Sequence, residues 1–196
     1  MDATSEEQDR SDMARLADGH DAALNDLMGR HAERLFHYLL RILQNETEAA
    51  DLAEESFVRV YQNRVNFKAQ HKFTTWLYTI STNLARDLQR HHARHPHVSL
   101  EAQNPGTDHD FRDALPDTAP NPGETLDSAE RARAVQSAVI ELPEDLRVPL
   151  VLSVYEEKSH AEIGEILQCS AKAVEMRLYR ARRGLRAALE KLVSPL

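Results

Sequence analysis

Apolar residues recur at intervals of three and four over both ends of this chain, and a proline-bearing acidic stretch separates the two ends. Such intervals put side chains on one face of an α-helix, whereas a half-buried strand would alternate. Leu35, Leu39 and Leu43, with Phe36 and Leu40, mark one helix. A second follows Thr47, with Ala53, Phe57, Val60 and Tyr61 as its stripe. A third starts at Thr74 or Thr75, carries Leu77, Ile80, Leu84 and Leu88 on one face and runs to about His92. His95-Pro96 ends it, because the residue before a proline resists the α conformation. No alternating strand stands out, so the expected fold is all-α.

Composition changes from Ser99 to Glu130. Pro105, Pro116, Pro120 and Pro122 fall here with Gly106 and Gly123, among Glu101, Asp108, Asp110, Asp113, Asp117, Glu124, Asp127 and Glu130. This reads as an extended acidic tether with little packing of its own. Helical spacing returns with Leu126, Ala129, Val135 and Val139 and stops near Leu142-Pro143. Pro143 suits a helix start, where its missing N–H would be unpaired anyway. Leu146, Leu150 and Val154 form the next stripe. The expected organisation is two small helical domains, 10–95 and 126–194, joined by a flexible acidic linker over 96–125.

Charge narrows the function. With 24 Lys and Arg against 32 Asp and Glu, the formal charge is −8. That opposes tight autonomous binding to DNA, whose affinity rests largely on phosphate neutralisation. It permits binding where cations gather on one face. No apolar run approaches the roughly 18 residues of a membrane span, and no membrane insertion is expected. The start of the chain, with Asp2, Glu6, Glu7, Asp9 and Asp12 against Arg10, is unlike a signal peptide. The single cysteine, Cys169, excludes an internal disulfide and suits a reducing cytoplasm.

The positive charge gathers near the C-terminus. Ser159 and Glu162 have the spacing of a capping box. Ile163, Ile166 and Leu167 point inward from a short helix, and Gly164 lacks a side chain where such a motif needs close approach. Gln168-Cys169 makes a turn, and Ser170 caps a long helix with Val174, Leu178, Ala181, Leu185, Ala188 and Leu192 on one side. Between Ser170 and Lys191, Lys172, Arg177, Arg180, Arg182, Arg183, Arg186 and Lys191 stand against Glu175 and Glu190, a net +5. A short helix, a turn and a long basic helix make a helix-turn-helix that reads the major groove. Lys172, Glu175, Met176 and Tyr179 fall where base contacts are expected; Arg180, Arg182 and Arg183 suit phosphates or guanines.

A second basic feature precedes the tether. The segment Val65 to Trp76 mixes Phe67, Lys68, His71, Lys72, Phe73 and Trp76, and the helix after it ends in Arg86, Arg90, His91, His92 and Arg94. Apolar walls beside cations suit an unstacked base and its backbone, although a tryptophan one turn into an amphipathic helix is more often core. Asn83, mid-helix, offers an amide for reading a base. His91 and His95 have metal-ligand spacing, with His92 and His97 nearby, yet no carboxylate or cysteine joins them locally. No metal or other cofactor is expected. Asp51, Glu54 and Glu55 project from a helix with an apolar opposite side. Such a patch is usually a solvated face; its function, if any, is docking onto a basic protein surface.

Together these segments resemble bacterial sigma factors of the extracytoplasmic-function class within the sigma-70 family. Asp51-Leu-Ala-Glu-Glu-Ser-Phe57 looks like the family's polymerase clamp motif, with Glu54 where glutamine is usual. Phe73 to Ala85 looks like its promoter-melting and minus-ten helix, and Ser159 to Leu185 like its minus-thirty-five reader. In that reader Glu175 stands where a basic residue is often found, and Gln168 replaces the usual turn glycine. The resemblance implies a bacterial cytoplasmic factor, not an enzyme, that binds core RNA polymerase through the beta-prime clamp helices and beta flap. It implies polymerase binding by Asp51, Glu54 and Glu55. Phe67, Lys68, His71, Lys72, Trp76, Asn83, Arg86 and Arg90 would contact the minus-ten element. Lys172, Glu175, Met176, Tyr179, Arg180, Arg182 and Arg183 would contact the minus-thirty-five element. An anti-sigma factor, relieved by a stress or envelope signal, is the implied regulator. The competing readings are a sigma-like decoy that sequesters an anti-sigma protein and an autonomous helix-turn-helix repressor. The decoy would not need these arginines, and the repressor sits poorly with the −8 charge.

Overall fold

A computed structural model of the chain describes residues 3–95 and 134–193, and these are helical with short connections. The expected linker at 96–125, with Leu126, Ala129 and His97, lies outside the described residues. The N-terminal half holds α1 (Ala3–Ala17), α2 (Ala22–Leu43), α3 (Glu46–Gln62), a 3-10 turn (Arg64–Asn66) and α4 (Phe73–Arg94). The C-terminal half holds α5 (described over 134–140), α6 (Glu144–Val154), α7 (His160–Leu167) and α8 (Ala171–Val193).

One boundary differs from expectation, and one helix is longer than the stripe that marked it. Helix α3 is capped by Asn45, whose side chain accepts from the Glu48 N–H, so it starts before Thr47. Helix α2 starts thirteen residues before Leu35, because its buried stripe of Ala23, Leu27, His31, Leu35, Tyr38, Leu39 and Ile42 includes a histidine that breaks the apolar pattern. Helix α1 gave no apolar signal beyond Met13 and Leu16. It docks through the buried Met13 and Leu16 and, beside them, through carboxylates. Asp9 and Asp12 are buried, and Arg30 binds both, at 3.0 and 2.6 Å. The His31 ring lies 2.9 Å from Asp9. Burial alone would raise the Asp12 carboxyl, but the bonds from Arg30, Gln8 and Arg15 outweigh it and hold the group below its ordinary value.

Helices α2, α3 and α4 pack together, and α6, α7 and α8 form a second group. The two groups also touch, through α4 with α7 and α2 with α6. Buried apolar side chains run continuously from Met13 and Leu27 through Tyr38, Phe57 and Leu77 to Val151, Ile163 and Leu178. That explains why the expected stripe of α6 is wrong in part. Val148, Pro149, Leu150, Val151 and Leu152 are all buried, because neighbours cover more than one side of this helix, while Val154 is exposed.

The turn between α6 and α7 adds a buried polar contact between the groups. Glu157 takes a left-handed φ of 53° and is exposed, while Glu156 and Lys158 on either side of it are only 3% and 7% exposed. Arg34 Nε donates to Glu156 Oε2 at 2.7 Å, and Arg34 Nη2 to the Tyr155 carbonyl at 3.1 Å. The Tyr78 hydroxyl also donates to Glu156 Oε2. Burial, and then the nearby Glu156 charge, raise the Tyr78 pKa well above its ordinary value, so the phenol keeps its proton. Lys158 Nζ donates to Thr74 Oγ1 at 2.8 Å.

Candidate nucleic-acid and polymerase interfaces

The helix-turn-helix is built as its residue types dictate. The Ser159 hydroxyl accepts from the Glu162 N–H, and the Glu162 carboxylate accepts from the Ser159 N–H at 2.9 Å. Gln168 supplies the left-handed turn residue at φ 54° that glycine would otherwise provide. The Ser170 hydroxyl then accepts from the Ala173 N–H at 3.2 Å, capping α8. Gly164 is required by close approach: a Cβ there would lie 2.7 Å from the Cys169 carbonyl oxygen. Val174, Leu178 and Ala181 are buried beneath α8. On its outer side Lys172, Glu175, Met176, Tyr179, Arg180, Arg182 and Arg183 are all exposed. Tyr179 is 61% and Met176 44% exposed, which places apolar surface among the cations of this face. Lys172 and Glu175 pair at 3.4 Å along the helix.

The Glu162 carboxyl connects this motif to the other half. Burial alone would raise it, but the Ser159 hydroxyl and N–H and the Lys72 ammonium bring it down to about 2, from an ordinary 4.5. A depressed carboxylate pKa stabilises the fold above 4.5, and that contribution is lost as pH falls from 4.5 towards 2. Glu162→Gln should therefore weaken the α7 cap by about 1 kcal/mol at neutral pH. It should also flatten the fall in stability across that acid window, as urea melts at a series of pH values will show.

The minus-ten candidates divide into two sets. Phe67 and Trp76 are half-buried, 5.2 Å apart between ring centroids, and pack with Phe73 against the core. The core alternative for Trp76 is thus met in part. Lys68, His71, Lys72, Asn83 and Arg90 are exposed, and Arg86 is partly so. Asn83 lines a shallow pocket with Arg59, Asn63, Ile80, Leu84 and Asp87. Several of these cations already hold carboxylates. Lys72 Nζ lies 2.6 Å from Glu6 and 3.2 Å from Glu162, Arg86 lies 3.4 Å from Glu144, and Arg90 lies 3.3 Å from Asp87. Sequence spacing gave no sign of Glu6, Glu144 or Glu162 as partners, since all three pairs join distant segments.

On α3, Asp51 and Glu54 are exposed, whereas Glu55 is half-buried and tied to Arg59 at 2.6 Å. Of the histidines, His91 and His95 have ring centroids 4.9 Å apart, and His92 lies 3.6 Å from Glu48.

The described residues are all helical, and a capped helix-turn-helix with an exposed cationic face on α8 is the build of DNA-binding transcription proteins. The comparisons narrow that class. The family description Sigma-70 region 2 matches residues 27–95, and Sigma-70, region 4 matches residues 132–185. The ECF RNA polymerase sigma factor SigW of Bacillus subtilis is 33% identical over 89% of this chain and 92% of its own length. The RNA polymerase sigma factor CarQ of Myxococcus xanthus is 33% identical over 92% of this chain and 97% of its own. Among solved structures, CnrH in complex with the cytosolic domain of CnrY superposes with a TM-score of 0.67 and 26% identity, covering 94% of this chain and 98% of that one. The chain belongs to the ECF RNA polymerase sigma factors of the sigma-70 family. Among the described residues, no helix is long and apolar enough to cross a membrane.

Proposed function

We propose that this sigma factor docks core RNA polymerase through the exposed Asp51 and Glu54, with Glu55 held by Arg59, and delivers two DNA-reading heads to a promoter. The observation that carries the reading is the α8 face, where seven expected DNA contacts are all solvent-facing on a capped helix. Lys172, Glu175, Met176 and Tyr179 meet base edges of the minus-thirty-five element, and Arg180, Arg182 and Arg183 meet its phosphates. Lys68, His71, Lys72, Asn83, Arg86 and Arg90 meet the minus-ten element, with Phe67 and Trp76 forming the apolar wall behind them. Flipping a base costs a few kcal/mol, repaid by pocket and phosphate contacts, so the protein acts by binding and not as an enzyme. It works in the bacterial cytoplasm, where core polymerase and promoter are. The ECF sigma-E factor of Haemophilus influenzae is 30% identical to this chain. The structure of RpoE from Bartonella quintana was solved with the anti-sigma factor NepR. An anti-sigma factor is accordingly the proposed regulator here.

The test separates the two kinds of contact. Glutamate accepts from a cytosine amino group, so Glu175→Ala should change upstream base preference, with roughly 1–3 kcal/mol of discrimination lost at one position. Arg182→Ala should weaken binding on all promoters alike and lower the salt slope by about 1. Equal loss on every promoter variant for both substitutions, in a promoter library transcribed by the holoenzyme, would contradict the assignment.

A further inference from the structure

Behind the aromatic residues proposed for the minus-ten element sits a buried carboxylate and imidazole. His31 Nε2 lies 2.9 Å from both carboxylate oxygens of Asp9, and both side chains are buried. Arg30 Nε donates to the same carboxylate at 3.0 Å and gives it a second fixed partner. An ionised carboxylate only accepts, so the imidazole Nε2 donates, and a ring held at this nitrogen has a set orientation.

That ring backs the aromatic cluster. Its centroid is 5.3 Å from that of Phe73, with the planes tilted by 50°. Phe73 is in turn 6.3 Å from Phe67 and 6.5 Å from Trp76, and Phe67 and Trp76 stand 5.2 Å apart. All four separations fall within the roughly 4.5–7 Å at which ring pairs attract. Contacts thus run without a break from α1, through α2, to the half-buried rings around the start of α4. No side chain caps that start: Lys72 stands at the N-cap position without a capping bond, and Phe73 is the first helical residue. Where α4 begins therefore depends on how Phe73 is seated.

Ordinary docking of α1 does not need this arrangement. Asp12 is also buried on α1 and binds Arg30 at 2.6 Å, with Arg15 and Gln8 beside it. Of the two carboxylates, Asp9 is the one that meets His31. Asp9 also lies ahead of residues 27–95, the span that the Sigma-70 region 2 description matches.

We propose that Asp9 and His31 are positioning residues for base capture: the Asp9 carboxylate fixes the His31 ring, the ring seats Phe73, and Phe73 holds Phe67 and Trp76 at the spacing that receives an unstacked base. Neither residue touches DNA. A stacking wall works only while the residues behind it keep it in place, because the base gains most from rings whose position is set before it arrives. The role rests on the reading of Phe67 and Trp76 as minus-ten contacts.

Trp76 is the chain's single tryptophan, so its fluorescence reports the cluster directly. In Asp9→Ala, acrylamide quenching of Trp76 should rise toward that of the urea-unfolded chain, with helical circular dichroism retained. Asp12→Ala removes a buried α1 carboxylate without disturbing His31, and its quenching should stay at the wild-type value. With core polymerase, Asp9→Ala should leave the initial promoter-binding constant unchanged and slow isomerisation to the open complex roughly tenfold, a shift of about 1.4 kcal/mol. Asp9→Asn keeps an oxygen for the imidazole and should recover most of both signals. Should Asp9→Ala lose its helices, His31→Gln decides the matter: it keeps a donor for Asp9, removes the ring beside Phe73, and should reproduce the exposed Trp76 and the slow isomerisation. Equal effects of Asp9→Ala and Asp12→Ala, or wild-type quenching in His31→Gln, would overturn the positioning role. A wild type that forms no polymerase-dependent open complex would sink the sigma-factor reading. A wild type that does form one, with isomerisation unchanged in Asp9→Ala and His31→Gln, would sink the positioning role alone.

Discussion

Gly164→Ala should destabilise the C-terminal half by about 2 kcal/mol and abolish initiation that depends on the upstream element. Two effects oppose each other. Alanine in a helix interior is favoured over glycine by about 1 kcal/mol. Against this, the added Cβ would lie 2.7 Å from the Cys169 carbonyl oxygen, an overlap with backbone that no side-chain rotation relieves. The turn cannot simply retreat, because the Cys169 N–H donates to the Gly164 carbonyl at 2.9 Å and Gln168 is already in the left-handed region. Overpacking costs about 1–3 kcal/mol, and a contact this short against backbone puts Gly164→Ala at the upper end of that range, so the clash wins by about 2 kcal/mol. Gly29 in α2 is the control of opposite sign: nothing lies within 4 Å of its Cβ position, and Gly29→Ala should stabilise by about 1 kcal/mol. Urea denaturation of both variants reads the two signs side by side.

Combined replacement of Arg180, Arg182 and Arg183 by alanine should cost the holoenzyme roughly 100-fold in promoter affinity near 0.15 M salt. Each phosphate contact contributes about 0.9 to the slope of log affinity against log salt. Losing three flattens that slope by about 2.7, which at this ionic strength amounts to about two orders of magnitude. All three guanidinium-bearing residues are exposed on α8, and the packing below them comes from Val174, Leu178 and Ala181. The fold should therefore survive. Binding measured between 0.05 and 0.3 M salt distinguishes this loss from unfolding, which would remove specificity along with the slope.

The helix-turn-helix was legible in the sequence because its signals are local. Ser159 and Glu162, Gln168, Ser170 and the spacing from Val174 to Ala181 each determine structure within a few residues. The exposed face of α8 follows from that spacing. Helix α1 was not legible, because it is fixed by Asp9 and Asp12 meeting Arg30 some twenty residues away, a pairing with no periodic trace. The buried seat of Glu156 was hidden for the same reason, as its partners Arg34 and Tyr78 lie about 122 and 78 residues upstream. Among the residues proposed for the minus-ten element the residue types were apparent, but the carboxylates that hold Lys72 and Arg86 come from α1, α6 and α7 and could not be read from the loop itself.

The central claim is that two cationic heads become competent only on the polymerase. Permanganate footprinting of a cognate promoter with core enzyme, this protein, or both tests it most directly. Reactive thymines at the minus-ten element only when both are present is the predicted result. Tight binding of the isolated chain to duplex promoter at physiological salt, with no affinity for core polymerase and no melting when the two are mixed, would contradict it.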